Sequence, residues 1–203
     1  MEHRESLAEQ LKPFLPEESL SIAVEWIATY KIFLTITQKR SSILGDYRRP
    51  ENGKGHRISI NGDLNRYAFL ITLVHEVAHL TTWSKHYDTV SSHGREWKQE
   101  FKLLMDEFSG KRIFPGDIRS ALKKYLVNPS ATHCDDPHLM KVLNSYNKQA
   151  SLHLEDLAAD SVFEWANKQF RKGEKIRKRY RCVELATSRT YIFSPVAEVK
   201  HLK

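Results

Sequence analysis

Apolar positions along this chain switch between two spacings, and each switch predicts a different kind of element. From residue 4 to 29 they recur at helical intervals, with Leu20, Val24 and Ile27 on one stripe and Pro13 and Pro16 interrupting the run. At Ile32 the spacing drops to two. Ile32, Leu34 and Ile36 alternate with Phe33, Thr35 and Thr37, which predicts a strand. Residues 42–49 read as a second strand, and Pro50, Asn52, Gly53 and Gly55 as a turn. His56–Asn61 reads as a third strand, with Ile58 and Ile60 on one face. Three strands this close in sequence suggest an antiparallel sheet. Helical spacing returns from about Asn65 to Trp83, where Leu70, Leu73, Val77 and Leu80 make the stripe of an amphipathic helix. A further helix is predicted over 93–108, with Trp97, Phe101, Leu104 and Phe108 facing inward and Gly110 ending it. Two more are predicted over 117–127 and 137–148, before strand-like spacing resumes at 162–165, 179–185 and 190–199. The expected architecture is α+β. Residues 1–150 form a small antiparallel sheet packed with helices, and 151–203 a small basic β extension on it.

The chemistry concentrates in the long central helix. Residues 75–79 read His-Glu-Val-Ala-His, an HExxH pattern. Histidines four apart on a helix share a face one turn apart, so both imidazoles reach one zinc ion. Glu76, beside the first ligand, is placed to hold a water acidified by the ion and to take its proton during attack on a carbonyl carbon. The apolar stripe is expected to point away from the histidines.

A catalytic zinc needs a third protein ligand and one open position. The metzincin continuation, with glycine at 82 and histidine at 85, is absent, because those positions are Thr82 and Lys85. His86 is one option, though it lies far along the same helix; Glu96 and Glu100 are others. His93 is the best candidate, since it opens the next helix four residues before Trp97 and the loop 83–92 can fold that helix back. His56–Asn61 is the candidate edge strand for holding a substrate backbone, through Ile58, Ser59 and Ile60. For the oxyanion, Tyr47, His86, Tyr87 and Arg95 carry equal weight.

At this point the chain resembles the SprT-like zinc peptidases, the family that includes Spartan. The matching residues are His75-Glu76-Val77-Ala78-His79 and His93-Gly94-Arg95-Glu96-Trp97, with Leu44-Gly45, Tyr47-Arg48 and Arg57-Ile58-Ser59-Ile60 upstream. The likeness covers roughly residues 20–110. It implies a zincin-like core and one zinc per chain on His75, His79 and His93. It also implies Glu76 as general base and a protein substrate, attached to DNA in the better understood members. Many bacterial relatives carry a cysteine-rich zinc ribbon after the peptidase domain; this chain has only Cys182 there.

Composition narrows the remaining choices. The net charge is +7 over 203 residues, which favours anionic partners, DNA first. Positive charge is densest from Lys172 to Arg181, where a strand over 176–185 would put Arg177, Arg179 and Arg181 on one face at about phosphate spacing. Two cysteines, Cys134 and Cys182, are too few for a secreted disulfide scaffold. The absence of a long apolar run and of a signal-like N-terminus predicts a cytoplasmic protein without a membrane partner. His133, Cys134, Asp135, Asp136 and His138 form a polar cluster whose spacing matches no zinc module, and it reads as a loop before a helix. The rival to an enzyme is a DNA-binding or scaffold protein in which zinc is structural, with four protein ligands.

Overall fold

The chain divides after residue 131 into two units. The structure, a computed structural model, describes residues 2–40, 43–108, 113–130, 136–147 and 152–202. The first unit contains helices α1 (Glu2–Leu11) and α2 (Leu20–Thr29), and strands β1 (Phe33–Thr37), β2 (Gly45–Arg48) and β3 (Arg57–Asn61). Helices α3 (Arg66–His86), α4 (Arg95–Asp106) and α5 (Gly116–Tyr125) complete it. The second contains α6 (Pro137–Asn144) and strands β4 (Val162–Trp165), β5 (Lys168–Ile176), β6 (Arg179–Glu184), β7 (Thr190–Phe193) and β8 (Lys200–His201). This division differs from the expected one at 150/151. Helix α6 belongs with the second unit, where Lys141 pairs with Glu155 and Asn144 contacts His153. The α+β class stands.

The first sheet is mixed rather than antiparallel, in the order β1-β3-β2. β3 pairs parallel with β1 and antiparallel with β2. The chain leaves β1, crosses to the far edge to form β2, and returns through a turn to lay β3 between them. Arg40 pins that crossing: its guanidinium donates to Asn61 Oδ1 (2.7 Å), Ser59 Oγ (3.0 Å) and the Leu44 carbonyl. Asn61 Nδ2 in turn donates to the carbonyls of Arg40 and Ile43. The expected substrate edge, Ile58-Ser59-Ile60, is therefore the central strand, with Ile58 and Ile60 fully buried. Alternation of apolar residues tells which face a strand buries and says nothing of its lateral position.

Helix α3 starts at Asn65, whose side chain accepts from the N–H groups of Tyr67 and Ala68. Every residue from Ala68 to Ala78 is buried, because β2 and β3 cover one side and α4 another. The helix is not the one-sided stripe expected from Leu70, Leu73, Val77 and Leu80. A helix covered all round belongs to a core. α4 does follow its predicted pattern, with Trp97, Phe101 and Leu104 buried and Phe108 just beyond its end. The expected stop at Gly110 lies outside the described residues. No helix among the described residues is long and apolar enough to cross a membrane.

The second unit is a five-stranded antiparallel sheet, β7-β6-β5-β4-β8, closed over Leu154, Leu157, Phe163, Phe170, Cys182 and Phe193. β5 was not expected. Its inward positions include Phe170 and the buried Lys172, whose ammonium donates to the Glu155 and Leu157 carbonyls and lies 4.4 Å from the Tyr180 ring. At Gly173 the register with β6 shifts, and a Cβ there would meet the Arg181 carbonyl oxygen at 2.4 Å. Ile176 pairs with Arg179, so Arg177 and Lys178 form the turn between β5 and β6, with Arg177 at φ 53°. Only Arg179 and Arg181 of the expected arginine stripe lie on β6, both exposed.

Glu184, 2% exposed, ties this unit together. Hydrogen bonds from Thr187 and Lys168, then Tyr191, hold its carboxyl down to about 2. A depressed carboxyl stabilises the fold fully above its ordinary value of 4.5 and loses that contribution as pH falls towards 2. The melting temperature should therefore drop more steeply between pH 5 and pH 3 in the wild type than in Glu184→Gln. Parallel melting-temperature profiles for the two proteins would show that Glu184 does not couple folding to pH.

Candidate metal centre and its carboxylate

His75 and His79 project from α3 at i and i+4, and His93 comes from the turn just before α4, whose N-cap is Gly94. His93 thus precedes the helix it was expected to open. Trp97, one turn into α4, forms the floor: its ring centroid lies 4.6 Å from that of His75, 5.5 Å from His79 and 4.8 Å from His93. The three Nε2 atoms converge. His75 Nε2 is 3.2 Å from His79 Nε2 and 3.2 Å from His93 Nε2. Nitrogens bound to one tetrahedral zinc at about 2.0–2.1 Å stand about 3.3 Å apart, so the spacing fits zinc as it is. A single proton can bridge only one of these nitrogen pairs, whereas a cation at the centre satisfies all three.

Electrostatics favour the ligand form. Burial, with His93 nearby, lowers the His79 imidazole to about 4, against an opposing pull from Asp46. Burial also lowers His93. Both are neutral at pH 7, the state that binds metal. Among the described residues these three histidines form the group able to hold an ion. The alternative ligands stand elsewhere. Glu100 pairs with Lys85 at 2.6 Å, Glu96 sits in the first turn of α4, and His86 ends α3 half-buried.

Glu76, 5% exposed, faces β2. Burial and then Asp46 raise its carboxyl to about 8, while Arg40 and the Tyr47 backbone N–H oppose the rise. The approach of β2 is very close. A Cβ on Gly45 would stand 2.5 Å from Glu76 Oε1 and 2.7 Å from Thr72 Cγ2, so only glycine fits. β2 is an edge strand. The Asn61 N–H donates to the Leu44 carbonyl, so residues 44, 46 and 48 face β3 along the ladder, and the N–H and C=O groups of Gly45 and Tyr47 point away from β3, the Tyr47 N–H to Glu76 and the others to the open edge. The free edge beside the histidines is therefore 45–47, not 58–60.

Of the four oxyanion candidates, Tyr47 contacts Glu76 through its backbone, while its hydroxyl lies 3.0 Å from His56 Nδ1 and burial raises its pKa. Tyr87 packs on Trp83, Arg95 opens α4 exposed, and His86 has been described. Gly45 and Arg40 were missed as site residues. A glycine inside a predicted strand is the sequence signal for the first; Arg40 carried none. Of the polar cluster near residue 135, His133, Cys134 and Asp135 lie outside the described residues, Asp136 caps α6, and His138 is exposed. Cys182 is a buried free thiol.

Comparison of the chain with protein-family models, with curated proteins and with solved structures gives no match. The functional reading therefore stands on the site itself.

Purified protein should bind about one zinc per chain, and His93→Ala should weaken that binding by more than the roughly 10–100-fold typical of losing an outer-shell partner. Zinc titration against a competing chelator measures this. Unchanged affinity in the variant would remove His93 from the ligand set.

Proposed function

We propose that this chain is a zinc-dependent endopeptidase in which His75, His79 and His93 hold the ion and Glu76 is the general base. The observation that carries the reading is the convergence of three imidazole nitrogens beside a buried carboxylate, at the open edge of β2. Zinc held by these three histidines would supply Lewis acidity there, to polarise a carbonyl and acidify a water. Glu76 takes that water's proton as the oxygen attacks the peptide carbon, and delivers it to the departing amine nitrogen. Its high proton affinity suits the role, and a cation beside it draws that affinity down towards neutral pH. The Tyr47 N–H orients the carboxylate. The Gly45 N–H and C=O and the Tyr47 C=O, on the open edge, are suited to receive an extended substrate by strand addition.

A structural zinc site would carry four protein ligands. The group found among the described residues has three, which supports the catalytic reading over the scaffold. The resemblance to the SprT-like peptidases leads to the same chemistry and adds DNA-attached proteins as substrates. Exposed Arg179 and Arg181 on β6, with Arg177 at the adjacent turn, support DNA contact by the second unit. Arg181 already pairs with Glu174 at 2.9 Å, so its share is the smaller.

Glu76→Gln should lower peptide hydrolysis by about 100- to 10,000-fold while zinc content and melting temperature stay near wild type, because glutamine fills the same space and accepts no proton. Equal rates in the two zinc-loaded proteins, on an unfolded or DNA-bound protein substrate, would refute the assignment.

Replacing Arg177, Arg179 and Arg181 together with serine should weaken DNA binding and reduce the slope of log affinity against log salt by about 2, through fewer released counterions. A salt titration giving the same slope for both proteins would dismiss this surface and leave the peptidase reading untouched.

A further inference from the structure

Four aromatic side chains form a continuous wall one to two helical turns beyond His79. Tyr47 stacks on His56 at 5.9 Å, His56 meets Trp83 edge-on at 5.7 Å, and Trp83 meets Tyr87 edge-on at 5.3 Å. Tyr47 and His56 come from the helix-facing side of β2 and of the chain leading into β3, and Trp83 and Tyr87 from the end of α3. Core packing alone does not account for the wall. Tyr87 is 64% exposed and adopts φ 50°, a region that a large side chain rarely occupies. Arg49, just past β2, pairs with Asp88 and fastens that strained corner to the strand. The Trp83 indole N–H is buried with no hydrogen-bond partner among the described residues.

We propose that this wall is a specificity subsite for an aromatic or large apolar side chain of the substrate strand. The inference deepens the peptidase reading and rests on it. An extended peptide added to the open edge at Gly45 and Tyr47 runs along α3. Trp83 lies about 6 Å and Tyr87 about 12 Å along the helix axis from His79. A strand advances about 3.4 Å per residue, so the side chain reaching the wall belongs to a residue two or three positions from the scissile bond. Aromatic rings there bury a large apolar group well.

The test uses the full chain in two measurements. In the first, zinc-loaded wild type digests a mixture of unfolded proteins, and mass spectrometry reads the residues flanking each cut. In the second, fluorescence anisotropy measures binding of labelled ten-residue peptides to zinc-loaded Glu76→Gln; a phenylalanine is scanned through the peptide, against an all-alanine parent. The expected result is about tenfold enrichment of Phe, Tyr, Trp or Leu at one position two or three residues from the cut. One phenylalanine register should bind about tenfold tighter than the parent, the scale expected for burying one such side chain. Tyr87→Ala, a change at an exposed position, should reduce both preferences to about twofold with zinc retained, and Tyr87→Phe should restore them. Cleavage without positional enrichment, or equal binding of all registers, overturns the subsite and leaves the peptidase reading standing. Selective binding with no cleavage by the wild type supports the subsite and overturns the peptidase reading.

Discussion

Burial of helix α3 on every side is the constraint from which the site follows. A helix carrying two histidines and a glutamate in its middle would ordinarily turn them to water. Here β2 closes on one flank, near enough that Gly45 has no room for a Cβ, and Trp97 of α4 closes on another. Desolvation is the first cause of the low basicity of His79 and of the high basicity of Glu76. The same exclusion of water that makes imidazoles good ligands makes the carboxylate a strong base. Packing and chemistry are one arrangement here, and the position of β2 governs both.

That position depends on a crossing that local sequence rules do not foresee. The helices and strands of the first unit were legible, because their apolar residues repeat at 3.6 or 2 and Asn65 stands at a helix start. His75, Glu76 and His79 were legible for the same reason: helix geometry fixes their relation. His93 was reachable because the Trp97 spacing announced an inward face. Strand order was not legible. Ile58 and Ile60 alternate equally well in a central or an edge strand, and only the long-range grip of Arg40 on Ser59 and Asn61 decides between them. β5 was hidden for a different reason. Its turns are Ala166-Asn167 and Arg177-Lys178, without the glycine that usually marks a two-residue hairpin, and a lysine occupies one of its inward positions.

The second unit shows how a small sheet with few apolar residues secures its register. Buried charge takes over part of the work of a core. Lys172 is capped by two carbonyls and a tyrosine face, and Glu184 by two hydroxyls and a lysine. Such groups tolerate one geometry, since a slip by one residue leaves an ammonium or a carboxylate buried without partners. The basic character of the outer face is then compatible with a well-defined fold, because Arg179 and Arg181 alternate with the inward Tyr180 and Cys182.

The three histidines differ in what holds them. Two stand on the most enclosed helix of the unit, whose backbone opens only when the surrounding core opens. The third stands in the short connection between α3 and α4, where local opening is cheapest. For an ion held by all three, residence time would be set by the weakest-anchored ligand: the ion would escape at the pace of the connection, while the paired helix imidazoles remained in place for recapture. Thermodynamic affinity and exchange rate would in this way fall to separate parts of the chain. A substitution between Tyr87 and Ser92 can alter how fast the centre loads and empties while leaving how tightly it holds almost unchanged.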